Sequence, residues 1–262
     1  MELVTSSDGT AIAVFRSGVG PPLLLVHGAS ADHTTTWRFV LPGLESRFTV
    51  YAMDRRGRGD SGDSPEYDLS REAEDICAVV EAIGEPVNVL GHSYGALCAI
   101  EAAAITLGIR RLVLYEGVPL RGAGLYPPGL VERLGEMLRA GDAEGVLLTM
   151  FREIVLMPEE EIAMLRSQTA AWERRLANTR TLPRELHADS SYVFDAARFS
   201  AMRTPTLLMV GGNSPSRELE NARAVAAALP DASITVIPRQ QHAAMYTVPD
   251  LFVSEVAKFL SG

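Results

Sequence analysis

The run Gly91-His92-Ser93-Tyr94-Gly95 constrains this chain more than any other stretch, because of what flanks it. Before it stands a short apolar segment rich in valine, Pro86-Val87-Asn88-Val89-Leu90. After it comes an alanine-rich segment of helical character, Ala96 to Ala104. A G-x-S-x-G pentad that joins a strand to a helix holds its serine on a sharp turn. Its flanking glycines let two backbones pass closely, with no Cβ in the way. A surface turn that merely contained Gly-Ser-Gly would lack that strand and that helix. Ser93 is therefore a candidate nucleophile.

A serine hydroxyl is a weak nucleophile near neutrality and needs a base, and the base needs an orienting group. The chain has five histidines. His27 ends a buried-looking strand, Leu23-Leu24-Leu25-Val26, and reads as a brace for the loop that follows. His33 stands close behind that loop, at a pocket mouth. His92 belongs to the turn itself, with its side chain directed away from Ser93. His187 lies in a charged stretch, Pro183-Arg184-Glu185-Leu186-His187, and reads as solvated. His242 remains, on a loop between the strand Ser233–Pro238 and a closing helix over Asp250–Leu260.

With these residues in view, the chain resembles the α/β-hydrolase superfamily along nearly its whole length. His27-Gly28-Ala29 resembles the oxyanion loop, and Asp54-Arg55-Arg56-Gly57-Arg58-Gly59-Asp60-Ser61 the arginine- and glycine-rich loop after the next strand. Ser93 matches the nucleophile, Pro205–Gly211 the strand that usually delivers the acid, and His242 the base, in the superfamily's chain order of serine, acid, histidine. The resemblance implies an oxyanion hole made by the backbone N–H groups of Ala29 and Tyr94. It implies a cofactor-free serine hydrolase acting through an acyl-enzyme on a small, apolar ester, thioester, lactone or related carbonyl compound. A lyase using the same serine and histidine is the second reading, and a non-catalytic ligand-binding protein the third. Serine at the elbow argues against dehalogenase or epoxide-hydrolase chemistry, which the resemblance ties to a carboxylate nucleophile.

The acid departs from the usual pattern. After Thr206–Val210 the chain reads Gly211-Gly212-Asn213-Ser214-Pro215-Ser216-Arg217, with no carboxylate before Glu218. Asn213 in the acid position would favour the wrong imidazole tautomer, a change that lowers turnover about 10⁴-fold in a serine protease. Glu116 directly follows the strand Arg111–Tyr115, and some dehalogenases in the superfamily carry their acid after this earlier strand. A carboxylate at the carboxyl end of a central strand opens onto the place where such sheets bind ligands. Glu116 is the preferred acid, and Asn213 the alternative orienter.

The rest of the chain reads as an α/β fold with a mostly parallel sheet of about eight strands and helices on both faces. A hairpin over 2–16 turns at Ser7-Asp8-Gly9, and strands at 22–27, 48–53, 87–91 and 111–115 alternate with helices at 36–46, 70–83 and 94–106. Ser70 is the expected N-cap of the helix over 70–83. After Pro119 the strand rhythm stops until Thr206. Residues 120–200 read as a helical lid, with helical segments at Leu130–Leu138, Ala143–Ile154, Glu159–Arg166 and Thr169–Ala177, inserted into a core of 1–119 and 201–262. Met137, Met150, Met157, Met164 and Trp172 fall in this insert; most read as packing and some as lining for an apolar pocket.

Composition narrows the partners. A net charge of −9 over 262 residues leaves no dominant basic face for phosphate binding, so nucleic acid is not an expected partner. Arg55-Arg56-Gly57-Arg58 reads as paired with Asp54 and Asp60. Gly57-Arg58-Gly59-Asp60-Ser61-Gly62 matches a dinucleotide fingerprint, but the polar turn Asp63–Tyr67 stands where a helix would have to open. No cofactor or metal site is expected. Cys77 and Cys98 read as small core residues, and the amino-terminal stretch lacks the basic and apolar regions of a signal peptide. No run approaches the roughly 20 apolar residues that span a bilayer, so the expected setting is the cytoplasm and the expected partner a small molecule.

Overall fold

Strand β3, Pro22–Val26, is buried at every position, as a central strand covered on both faces requires. The computed structural model describes residues 1–262 and joins eight strands in one sheet. β1 (Glu2–Thr5) and β2 (Ala11–Gly18) form the antiparallel hairpin, and β2 runs antiparallel to β4 (Thr49–Met53). β3, β4, β5 (Val87–His92), β6 (Ile109–Tyr115), β7 (Thr206–Gly211) and β8 (Ala232–Ile237) pair in parallel. The spatial order is β1-β2-β4-β3-β5-β6-β7-β8.

Successive strand side chains point to opposite faces, and the core divides accordingly. Leu24, Val26, Val89, Leu112, Leu114 and Leu208 pack on one side. Leu23, Leu25, Leu90, Val113, Leu207 and Met209 pack on the other. The first face is covered by α3 (Leu69–Ile83), which buries Ala73, Ile76, Val79 and Val80 along one stripe. Its N-cap is Asp68, whose carboxylate accepts from the Arg71 N–H. The expected cap Ser70 instead donates its hydroxyl to Asp68 at 2.6 Å.

The helix expected over 36–46 is two short ones, α1 (His33–Thr36) and α2 (Leu41–Glu45). Asp32 caps the first through the N–H groups of Thr34 and Thr35, and Pro42 opens the second. α4 (Tyr94–Ala103) follows β5 and is buried throughout. Between β6 and β7 come α5 (Leu130–Arg139), α6 (Ala143–Thr149), α7 (Glu159–Ser167), α8 (Thr169–Ala177), α9 (Leu182–Ser191) and α10 (Ala196–Phe199). The helix expected to run from Ala143 to Ile154 widens into π-type turns over Met150–Val155. α9 and α10 have no counterpart in the four segments read from the sequence. α11 (Ser216–Ala228), α12 (Ala244–Thr247) and α13 (Pro249–Leu260) complete the chain.

The inserted helices have their own core, including Leu134, Leu147, Phe151, Leu165, Trp172 and Leu186. Buried charge ties them to the sheet domain. Glu185 on α9 accepts from Arg58 at 2.6 Å and Arg55 at 3.1 Å, and Arg55 also pairs with Glu72 on α3 at 2.6 Å. Arg56 pairs with Asp75 at 2.7 Å and Asp8 at 2.9 Å. This corrects the pairing of the arginine cluster with Asp54 and Asp60. Asp54 is already engaged by His33, through its N–H and Nδ1 at 2.8 Å, and by the Asp60 N–H at 2.9 Å. Asp60 is exposed. Glu185 lies 127 and 130 residues from Arg58 and Arg55, a distance at which a pairing leaves no local trace in a sequence.

Candidate active site

Ser93 stands between the last residue of β5 and the first of α4, with φ 54° and ψ −129°. A side-chain-bearing residue with positive φ is strained and persists only where its surroundings hold it. Close packing of the flanking backbone does so here. A Cβ on Gly95 would lie 2.4 Å from the carbonyl oxygens of Val26 and His27, and one on Gly91 would lie 2.7 Å from Ala96 Cα. The Ser93 N–H donates to Tyr115 O at 2.9 Å, which fixes the turn against β6.

Glu116 follows β6 directly. It is 6 % exposed with φ 39°. Its Oε1 accepts from the Gly211 N–H at 2.7 Å and from Ser214 Oγ at 2.5 Å. Its Oε2 lies 2.9 Å from Nδ1 of His242. A carboxylate at that distance fixes Nδ1 as the protonated nitrogen and leaves Nε2 as an acceptor. Asn213 is exposed, and its backbone N–H donates to Gln240 O at 2.8 Å. Of the two positions weighed for the acid, the fold brings Glu116 to His242 and leaves Asn213 at the surface.

The loop carrying His242 is fastened from beneath. Tyr115 Oη donates to Gln241 O, and His92 Nε2 donates to His242 O at 3.2 Å. The His92 ring packs 4.6 Å from the His242 ring, and burial holds its pKa well below the usual histidine value. His92, whose side chain was expected only to turn away from Ser93, thus also lines the cavity and supports the His242 backbone. Nothing local in Gly91–Gly95 announces this, because the contact spans 150 residues.

His27 is fully buried. Its Nε2 accepts from the Arg55 N–H at 3.0 Å and its Nδ1–H donates to Gly28 O at 2.8 Å. Burial first, and then the Arg55 charge, lower its pKa to about 4, so the ring is neutral and braces the loop. His33 stacks on Phe15 at 3.5 Å and bonds Asp54, away from the cavity. His187 is exposed.

A cavity of about 140 Å³ opens at the carboxyl ends of β5 and β6, and Ser93, His242, Glu116, Ala29 and Tyr94 all line it. By volume it holds roughly five water molecules. The backbone N–H groups of Ala29 and Tyr94 donate to no other group of the chain. Met150, Phe151, Met157 and Leu165 line the apolar part from the inserted segment, whereas Met137, Met164 and Trp172 do not reach it. Gly117, next to Glu116, has φ 150° and packs so tightly that a Cβ there would lie 2.0 Å from Ser93 O.

Comparison with known proteins agrees with this architecture. The chain is 31% identical over 251 residues to the N-formylmaleamate deformylase of Pseudomonas putida, covering 93% of this chain and 90% of that one. An alpha/beta hydrolase from Sphaerobacter thermophilus superposes with a TM-score of 0.85 at 35% identity, over 99% of this chain and 100% of the other. The esterase RhEst1 from a Rhodococcus species shares the fold, with a TM-score of 0.75 at 22% identity over 100% and 98% of the two chains. No helix is long and apolar enough to cross a membrane. A model of the alpha/beta hydrolase family matches residues 23–255, and the chain is an enzyme that belongs to that family.

Proposed function

We propose that this enzyme is a cofactor-independent serine hydrolase that opens a small ester, thioester, lactone or related carbonyl compound through an acyl-enzyme. Ser93 Oγ attacks the carbonyl carbon while His242 Nε2 takes its proton. The Ala29 and Tyr94 N–H groups bind the oxyanion, and Glu116 orients the imidazole and stabilises its charged form. His242 then returns the proton to the leaving group and activates the water that releases the acid. The carrying observation is the 2.9 Å contact between Glu116 and His242 beside a cavity that Ser93 also lines.

Residues 120–200 act in this reading as a lid, supported by the helical side chains that line the same cavity as Ser93. The enzyme works in the cytoplasm on this account, in keeping with the free thiols of Cys77 and Cys98. Hydrolysis of an N-formyl group by the same residues is a second reading, favoured by the deformylase that is 31% identical along most of both chains. The test is fluorophosphonate labelling together with turnover of a panel of acyl esters and N-formyl amides. Labelling confined to Ser93, with turnover of at least one ester or formyl amide, supports the proposal. Turnover that survives in Ser93→Ala contradicts it.

A further inference from the structure

The chain buries four arginines, and three of them have carboxylate partners. Arg55, Arg56 and Arg58 meet Glu72, Asp75 and Glu185 at 2.6, 2.7 and 2.6 Å. The fourth, Arg175 on α8, is 6 % exposed and lines the same cavity as Ser93 and His242. It forms no ion pair. Its one hydrogen bond within the chain runs from Nη2 to Tyr246 Oη at 2.5 Å, and its guanidinium carbon lies 5.8 Å from the centre of that ring. Tyr246 Oη in turn donates to Thr35 O at 2.6 Å, so the guanidinium is held against a phenol that is itself fixed.

A buried cation without a partner is costly to fold around, and chains normally pair it. Arg174, the adjacent residue, is paired, reaching Asp32 at 3.4 Å. The other charged groups that line the cavity are also engaged. Glu185 holds Arg55 and Arg58, Glu218 accepts from Arg217 at 3.2 Å, and Asp189 accepts from Tyr126 Oη. Of the two arginines that line the cavity, Arg217 is paired with Glu218, whereas Arg175 has no carboxylate partner. A guanidinium has five N–H donors in a planar fork, and a carboxylate matches two of them side by side.

The geometry points to Arg175 as the specificity-determining residue of this site, and to an acyl substrate that carries a second, free carboxylate. This rests on the serine-hydrolase reading above. The cleaved carbonyl sits at Ser93, and the distal carboxylate of the same small molecule pairs with Arg175. Leu125, Met150, Phe151 and Leu165 cover the apolar span. A carboxylate-bearing half-ester or half-amide is therefore bound in preference to its neutral counterpart. A cavity of about 140 Å³ suits a small molecule.

The test uses monomethyl succinate, glutarate and adipate. Each is compared with the neutral methyl ester in which an isopropyl group replaces the free carboxylate. Turnover is followed by proton release, and protection of Ser93 against fluorophosphonate labelling is measured alongside. The wild-type enzyme prefers at least one anionic ester to its neutral match by more than tenfold in kcat/KM. Arg175→Met brings that ratio down to about one, mainly through KM for the anionic ester. Arg175→Lys keeps part of the preference, because it keeps the charge and loses the fork. Absence of an anionic preference in the wild type, in turnover and in protection alike, overturns the inference whatever the variants do. So does a preference that persists in Arg175→Met. If Ser93 is neither labelled nor needed for turnover, the hydrolase reading itself has failed; labelling and neutral-ester turnover without charge preference remove only the role of Arg175.

Discussion

Oε2 of Glu116 lies 2.9 Å from Nδ1 of His242, across 126 residues of chain and between the ends of two different loops. The other oxygen of the same carboxylate is bound by Gly211 and Ser214, so both ends of the group are fixed. The hydroxyl of Ser214 thus supports, from the segment after β7, a carboxylate that comes from β6. Residues 211–217 carry no carboxylate of their own and contribute two anchors of the Glu116 carboxylate instead.

Ser93→Ala removes the proposed nucleophile and leaves the turn, whose strain comes from backbone packing at Gly91 and Gly95. Ester turnover falls to a residue of about 10³-fold over water, the level that an oxyanion hole and binding retain without a nucleophile. The measurement is initial-rate kinetics of the variant, with circular dichroism to show that its fold is intact.

Gly117→Ala destabilises the protein. The new Cβ would lie 2.0 Å from Ser93 O, and φ is 150°, so both the space and the backbone oppose it. Strain of this kind costs about 1–3 kcal/mol. In a chain of this size it lowers Tm by several degrees, readable by differential scanning calorimetry.

Glu185→Gln weakens the tie between α9 and the sheet domain. It leaves Arg58, which is fully buried, without its charge partner. Breaking a buried pair from one side costs roughly 3–5 kcal/mol. The expected result is a Tm drop of roughly 10 °C, together with faster proteolysis within 120–200.

Asp189→Asn changes how stability depends on pH. Burial pushes the Asp189 carboxyl up to about 6, above its unfolded value of 3.8. The folded state therefore binds the proton more tightly, so the wild type loses stability as pH rises from about 4 to about 6. The amide does not titrate and escapes that loss. Relative to the wild type, Asp189→Asn is more stable at pH 7.5 than at pH 4 by roughly 2 kcal/mol. Urea denaturation of both proteins at the two pH values measures it.

Much of this architecture was legible because it is local. The Gly91–Gly95 pentad between an apolar strand and an alanine-rich helix located the turn, and the alternating strand and helix patterns placed six of the eight strands within a residue or two. What escaped was non-local. The Arg55–Glu72–Glu185 cluster, the His92 support of His242 and the Tyr246 seat of Arg175 join residues far apart in the chain. α9 escaped because its charged first turn around Pro183 breaks the apolar periodicity that marked the other segments, although proline is well tolerated in a helix's first turn. The π-type turns over Met150–Val155, four of whose residues line the cavity, are a local widening that helical periodicity does not encode.

The identity of the acid tests the account most directly, through kcat for Glu116→Gln and Asn213→Ala on whichever ester the wild type turns over best. A glutamine at 116 presents an amide to Nδ1 and favours the tautomer with its proton on Nε2, which cannot accept from Ser93. The account predicts that Glu116→Gln lowers kcat by about 10³- to 10⁴-fold, while Asn213→Ala stays within about threefold of the wild type because its side chain is at the surface. A Glu116→Gln enzyme that keeps near wild-type kcat, with Asn213→Ala impaired, contradicts it.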